Sequence, residues 1–306
     1  MQRSKLRLAA TLVAIGAFTA AVAGCGSSSK SDEGASSTTT PSGPAEITVT
    51  AGDYSFEGLP ATLTAGIQNV TFENKGSVDH EMVFVKVKPG TTPETLGAGL
   101  EKVFNGEPFP AYLEAANGVA NTAAGKTTVT QFNLPAGDYI AVCGDTGVAG
   151  SKKDGKPHFA RGMFKEVTVT GEGGDEAPTA DASVTAKDYS FTMEGLKAGE
   201  QTIAFVNDGP KQWHFGDIEV FPAGTTVAEA TEAVNKLITS NGPPPAGVPQ
   251  PDTVATLQIA SPGLGNTLPV TLLSGRTYVI LCFVSDLAGG PPHAIGHQMF
   301  KVFTVD

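Results

Sequence analysis

Residues suited to catalytic or metal chemistry are scarce in this chain. Among 306 residues there are five histidines, three cysteines and one tryptophan, Trp213. No His-x-His pair occurs, and no nucleophile–base constellation or phosphate-cradling glycine loop stands out. Hydrolytic and phosphoryl-transfer chemistry therefore lack a sequence basis. Positive charge is also thin. Twenty Lys and Arg stand against 31 Asp and Glu, for a net charge of −11. Nucleic acid is not an expected partner of so acidic a surface. Long apolar runs are absent after residues 8–24, and that run is short and Ala-rich for a membrane span of about 20 residues.

The scarce residues are not scattered. His80, Cys143, His158 and Met163 occur in one half, and His214, Cys282, His293 and Met299 occur in the same order in the other. The two halves are an internal repeat with anchors independent of these residues. Val49-Thr50-Ala51-Gly52-Asp53-Tyr54-Ser55-Phe56 returns as Val184-Thr185-Ala186-Lys187-Asp188-Tyr189-Ser190-Phe191. Gly90-Thr91-Thr92 returns as Gly224-Thr225-Thr226, and a tyrosine precedes each cysteine by four residues, Tyr139 and Tyr278. A single His and Cys could coincide by accident, but two register-matched sets are hard to dismiss. Two imidazoles, a thiolate and a weak thioether form the donor set of a blue copper centre.

The amino-terminal segment has its own logic. Arg3, Lys5 and Arg7 precede the apolar run, and Val22-Ala23-Gly24-Cys25 follows it. This order resembles a bacterial lipoprotein signal peptide over residues 1–24, with Cys25 as the lipidated first residue; the alternative is an uncleaved membrane helix. Stable anchoring takes two or more acyl chains. Residues 25–44, rich in Ser, Thr and Gly, read as a flexible tether spanning roughly 25 Å. The expected location is extracytoplasmic, on a bacterial cell membrane. Loss of the three leader cations would take the net charge from −11 to about −14. Such a surface suits a basic redox partner, or plain solubility.

The remaining chain predicts an all-β fold. Segments 69–73, 82–85, 139–142, 167–169, 202–206, 278–281 and 302–305 are short and β-rich, separated by Gly, Pro and Asn clusters. Two tandem β-sandwiches are expected, at 45–171 and 179–306, joined by a polar Gly-rich linker at 172–178. Each half carries one short helical insertion. Thr91-x-x-Glu94 and Thr226-x-x-Glu229 fit capping boxes, and Leu96, Leu100 and Val103, or Ala230, Val234 and Leu237, would form the apolar faces. The helices are expected to cover an edge or end of each sandwich.

In each half the first histidine follows a strand and a Gly-containing turn, the cysteine ends a Tyr-x-x-x-Cys strand, and the second histidine and methionine precede the last strand. This arrangement resembles the cupredoxin (blue copper) family, which includes plastocyanin and azurin. The resemblance runs from the His80 or His214 strand to the end of each half. It implies Greek-key sandwiches and one type 1 copper per domain, held by His80, Cys143, His158 and Met163 and by His214, Cys282, His293 and Met299. Phe159, Phe164, Phe283 and Phe300 flank these residues and are candidates for an apolar shell or for core packing. The halves differ in detail. The Cys-to-His loops hold 14 and 10 intervening residues, and the second His-to-Met interval has five residues instead of four. His297 and Gln298, inside that interval, are alternative ligands. Zinc suits the same imidazoles and thiolate. A disulfide between Cys143 and Cys282 would need the two strand ends to meet.

Three functions remain open. The first is one-electron transfer, with the chain a carrier and not an enzyme, since only His297 is left over for a catalytic copper. The second is copper buffering or delivery. The third is a metal-free cupredoxin-like binding scaffold.

Overall fold

A computed structural model describes residues 45–148, 155–174, 176–240 and 245–306. The expected signal peptide, Cys25 and the tether lie outside the described residues. The first half contains β1 (Ala45–Gly52), β2 (Ser55–Glu57), β3 (Thr62–Thr64), β4 (Gly66–Asn74) and β5 (His80–Val87). Helix α1 (Pro93–Phe104), β6 (Leu113–Thr122), β7 (Thr127–Leu134), β8 (Gly137–Val142), a 3-10 turn (His158–Arg161) and β9 (Phe164–Thr170) complete it. The second half repeats the order with β10 (Ala182–Lys187), β11 (Ser190–Glu194), β12 (Gly199–Asn207), β13 (His214–Val220) and α2 (Val227–Thr239). It ends with β14 (Asp252–Ala260), β15 (Gly265–Leu272), β16 (Arg276–Leu281), α3 (His293–Gly296) and β17 (Phe300–Val305).

Alternation sets the faces. In β4, Gln68, Val70, Phe72 and Asn74 are buried and the residues between them are not, the period of a strand with one covered face. Strands β2-β1-β4-β7 pack over β3-β9-β8-β5-β6, with Val49, Phe72, Phe84, Phe132 and Tyr139 between them. In the second half β11-β10-β12-β15 packs over β14-β13-β16-β17, around Val184, Phe205, Ile218, Leu257 and Tyr278. Each such side chain contributes roughly 1.5–3 kcal/mol on burial. The fold is the expected pair of tandem β-sandwiches.

The halves meet through equivalent strands. Phe132 of β7 pairs with Asn266 of β15, merging the first sheets into one of eight strands. Beside this seam, β6 meets β14: Ser261 N donates to Ala116 O (2.9 Å), and Gln258 Nε2 donates to Val119 O (2.8 Å). Buried Asn117 donates to Gly265 O and accepts from Asn266 Nδ2. Residues Pro44–Asp306 accordingly form one compact unit.

The helices correct two details. The α1 cap is Thr92, whose hydroxyl accepts from Thr95 N, and not Thr91, because Pro93 takes the first helical position. The Thr226–Glu229 capping box of α2 is present in full. Neither helix covers an edge or end. Leu96 and Leu100 pack on Val85, Ile140 and Phe159, and Ala230 and Val234 pack on Val279 and Leu281, so each helix covers the outer face of its second sheet. No helix among the described residues is long and apolar enough to cross a membrane.

Candidate metal centres

Strand pairing creates each site. β5 and β8 run antiparallel, so the start of one, His80, lies beside the end of the other, where Cys143 follows β8. His158 and Met163 come back to this strand end. His158 N donates to Asp145 O (2.8 Å), Phe159 N to Cys143 O (2.9 Å), Met163 N to His158 O (3.1 Å) and Cys143 N to Met163 O (3.3 Å). The second half makes the same four bonds. His293 N donates to Val284 O (2.7 Å), Ala294 N to Cys282 O (2.8 Å), Met299 N to His293 O (3.1 Å) and Cys282 N to Met299 O (3.2 Å). Loops of different length therefore close in one geometry. The extra residue before Met299 is taken up in the turn, which is a 3-10 turn at His158–Arg161 but the α-helical α3 at His293–Gly296; Gln298 at φ +54° then stands where Gly162 at φ +94° does in the first half.

The ligand atoms converge inside the protein. His80, Cys143 and His158, and likewise His214, Cys282 and His293, each bring one nitrogen or sulfur within 4.8 Å of the others, and all six residues are fully buried. In the first set Sγ of Cys143 is 3.3 Å from His158 Nδ1 and 3.7 Å from His80 Nδ1. In the second set Cys282 Sγ is 3.4 Å from His293 Nδ1 and 3.9 Å from His214 Nδ1. The two Nδ1 atoms of the first set lie 3.0 Å apart. His158 Nε2 is 2.6 Å from Gly147 O, which places its proton on Nε2 and turns the Nδ1 lone pair toward the sulfur. Met163 and Met299 are fully buried in the same apolar clusters as Cys143 and Cys282. Both cysteines are free, each within its own set, and not paired with one another.

Burial sets the proton states. It pushes the Cys143 thiol up and the Cys282 thiol up to about 12, and it pulls His80 down and His214 and His293 down to about 4. Without a cation these groups are neutral. Two imidazole nitrogens and one sulfur, with no oxygen among them, suit a borderline or soft cation such as copper or zinc, and a buried thioether nearby favours copper.

The surroundings hold residues that the sequence did not single out. Asn74 and Asn207 are buried and clamp the turns before the first histidines. Asn74 Nδ2 donates to Val78 O and Thr122 O, and Asn207 Nδ2 donates to Gln212 O and Ala260 O, all at 2.8 Å. The shared Asn-x-Gly in Asn74–Gly76 and Asn207–Gly209 was the available signal. Glu81 had none. Its N–H donates to Cys143 Sγ (3.5 Å), while its carboxylate accepts from Gly144 N (3.1 Å) and from Gln258 Nε2 of the other half (2.9 Å). Tyr139 and Tyr278 hold the cysteine strands from behind: Tyr139 Oη donates to Pro135 O (2.7 Å), and Tyr278 Oη accepts from Leu273 N (2.7 Å).

Other candidates fall elsewhere. His297 Nε2 bonds Asp286 Oδ2 (2.8 Å) at the surface, and its ring stacks on Tyr189. Gln298 is exposed beside Ala228 and Thr231 of α2. The phenylalanines do not form a shell around the sulfurs. Phe159 packs under α1, Phe164 is 37% exposed because strand alternation in β9 turns it away from the ligands, and Phe283, past the end of β16, is 43% exposed.

No protein-family model matches the chain, and no curated protein matches it. Solved structures do. A reduced auracyanin from Roseiflexus castenholzii is 23% identical, covering 42% of this chain and 100% of its own, with a TM-score of 0.28. The blue copper protein auracyanin A from Chloroflexus aurantiacus is 20% identical over 42% of this chain and 100% of its own, with a TM-score of 0.28. A copper nitrite reductase from Nitrosomonas europaea is 15% identical over 86% of this chain and 94% of its own, with a TM-score of 0.24.

Proposed function

We propose that this protein is an extracytoplasmic, lipid-anchored electron carrier with one type 1 copper in each half. One observation carries the reading: two buried His-Cys-His sets of matching geometry, each with its Nδ1 atoms and thiol sulfur turned inward. Copper, when bound, supplies a one-electron couple. The chain holds its ligands through the four backbone bonds of each loop, the asparagine clamps and the tyrosines behind the cysteine strands. Such a frame limits ligand movement when the charge changes, as electron transfer requires. Asp53, Asp145 and Asp286 lie near the Nε2 sides of the site histidines, which suits a basic redox partner.

Copper delivery is the second reading, and the same donors serve it. Copper content and visible absorption of the chain from residue 26 onward, loaded with Cu(II) and desalted, test both. Two coppers per chain, an intense blue thiolate band and reversible reduction without metal loss are expected. Metal release on reduction would move the assignment to delivery. No retained copper would leave a binding scaffold.

A further inference from the structure

Four residues other than glycine have positive φ among the described residues: Tyr54 at 69°, Asp188 at 45°, Tyr189 at 65° and Gln298 at 54°. All four border the metal sites, where stored backbone strain points to a role. Tyr54 and Tyr189 are equivalent in the repeat. Each takes the second place of the tight turn joining β1 to β2 or β10 to β11, a place where positive φ favours glycine. The bulky ring there gains nothing for the turn. It does cover a histidine. Tyr54 meets the His158 ring edge-on with centroids 5.1 Å apart, and Tyr189 meets His293 edge-on at 5.0 Å. Both tyrosines are half-buried, while the histidines beneath them are fully buried.

The turns are also held down. Asp53 accepts from Ser77 N (2.8 Å) and Ser77 Oγ (2.9 Å), so the first turn is tied to the loop leading into His80. Arg161 lies over the Tyr54 ring, 5.4 Å from its centroid. Tyr189 donates its hydroxyl to Asp286 Oδ1 (2.7 Å) and stacks on His297 at 3.7 Å. The Asp286 carboxylate thus joins Tyr189 and His297, and its Oδ1 is 3.4 Å from His293 Nε2.

We propose that Tyr54 and Tyr189 are gates that close the second histidine of each site to water and to outside ligands, so that small chelators reach the metal only when the hairpin tip swings away. The gate is a property of the folded chain, and its metal-exchange consequence rests on the copper reading above. Tyr54 is held through its ring, by packing and by the Arg161 guanidinium, whereas Tyr189 is also latched through its hydroxyl.

Glycine is the informative replacement, because it removes the ring and relieves the turn. The metal-free chain of each variant is treated with diethyl pyrocarbonate, modified histidines are mapped by mass spectrometry, and the thermal midpoint is recorded. In the parent, modification should stop at exposed His297. Tyr54→Gly should add His158, and Tyr189→Gly should add His293, each in a chain whose midpoint stays well above the labelling temperature. Tyr54→Phe should protect like the parent, whereas Tyr189→Phe, unlatched, should protect His293 only partly. Unmodified His158 and His293 in folded glycine variants would overturn the gate. On copper-loaded, reduced chain, bicinchoninate should extract Cu(I) about tenfold faster from the glycine variants, a barrier change of about 1.4 kcal/mol. Equal extraction rates would also overturn it. A parent that binds no copper would sink the carrier reading and leave the carbethoxylation result to decide the gate.

Discussion

Glu81 and Gln258 join the first site to the second half: the carboxylate that accepts from Gln258 Nε2 at 2.9 Å belongs to the residue whose N–H points at Cys143 Sγ. At the equivalent place after His214 the second half has Phe215. Two sites with the same ligands therefore have different neighbours, and one of them reaches across the seam.

Removing one thiolate tests how far the sites depend on each other. Cys143→Ser should abolish the first blue band and leave the second. Trp213, buried and next to His214, reports on the second site: copper should still quench its emission in Cys143→Ser and should fail to do so in Cys282→Ser. Loss of both bands in Cys143→Ser would mean that the contact across the seam makes the sites interdependent.

Metal loading should be a proton-releasing reaction. At pH 7 the site imidazoles that burial pulls down are already neutral, while both thiols keep their protons. Each cation should then displace about one proton, and apparent affinity should fall about tenfold per site for each pH unit of acidification near neutrality. A pH-stat titration with Cu(II) counts the protons. No release would mean that the thiols are not ligands.

The turn glycine before His80 should tolerate no side chain. A Cβ on Gly76 would stand 2.7 Å from His80 Nε2 and 2.8 Å from Asp53 Oδ1, whereas a Cβ on Gly209 would meet Asn207 Oδ1 at 3.0 Å and His214 Nε2 at 3.5 Å. Gly76→Ala should cost on the order of 1–3 kcal/mol and weaken the first blue band. Gly209→Ala should weaken the second band less, since its closest contact is the Asn207 amide and not the histidine. Equal effects, read by absorption and thermal melts, would contradict this packing.

Acid should favour the second sandwich in one window. Burial raises Glu219 from its ordinary 4.5 to about 8, so across that range the folded state keeps a proton that the unfolded state has lost. Stability then falls as pH rises toward 8. His214 and His293, lowered to about 4, act in the opposite sense, but only below their ordinary 6.5. Glu219→Gln should therefore stabilise the metal-free chain at pH 8–9 by on the order of 1–3 kcal/mol and lose that advantage near pH 4. Thermal midpoints across pH, parent against variant, check the sign.

The candidate ligands were legible because a repeat places rare residue types in register. His80 and His214 each follow an Asn-x-Gly turn, Cys143 and Cys282 each follow a tyrosine by four residues, and the strands were legible because alternation is local. The Thr91 cap was misread by one residue because a run of two threonines offers two oxygens, and the helix start picks between them. Glu81 left no mark, since its partner Gln258 is 177 positions away.

Local pattern therefore specifies the strands, the repeat and the donor types. It does not specify which atoms face one another. The inward turn of Nδ1 follows from Gly147 O holding Nε2 of His158. The tyrosine over each histidine follows from a turn whose strain looks like a defect until the sheet closes. The seam exists because β7 and β15, each an edge strand of its own half, pair at Phe132 and Asn266 while side chains take up neighbouring open groups, Thr267 Oγ1 accepting from Gln131 N and Asn133 Oδ1 from Gly265 N. These relationships arise between segments distant in the chain, where burial and hydrogen bonding are settled only when the sandwiches pack.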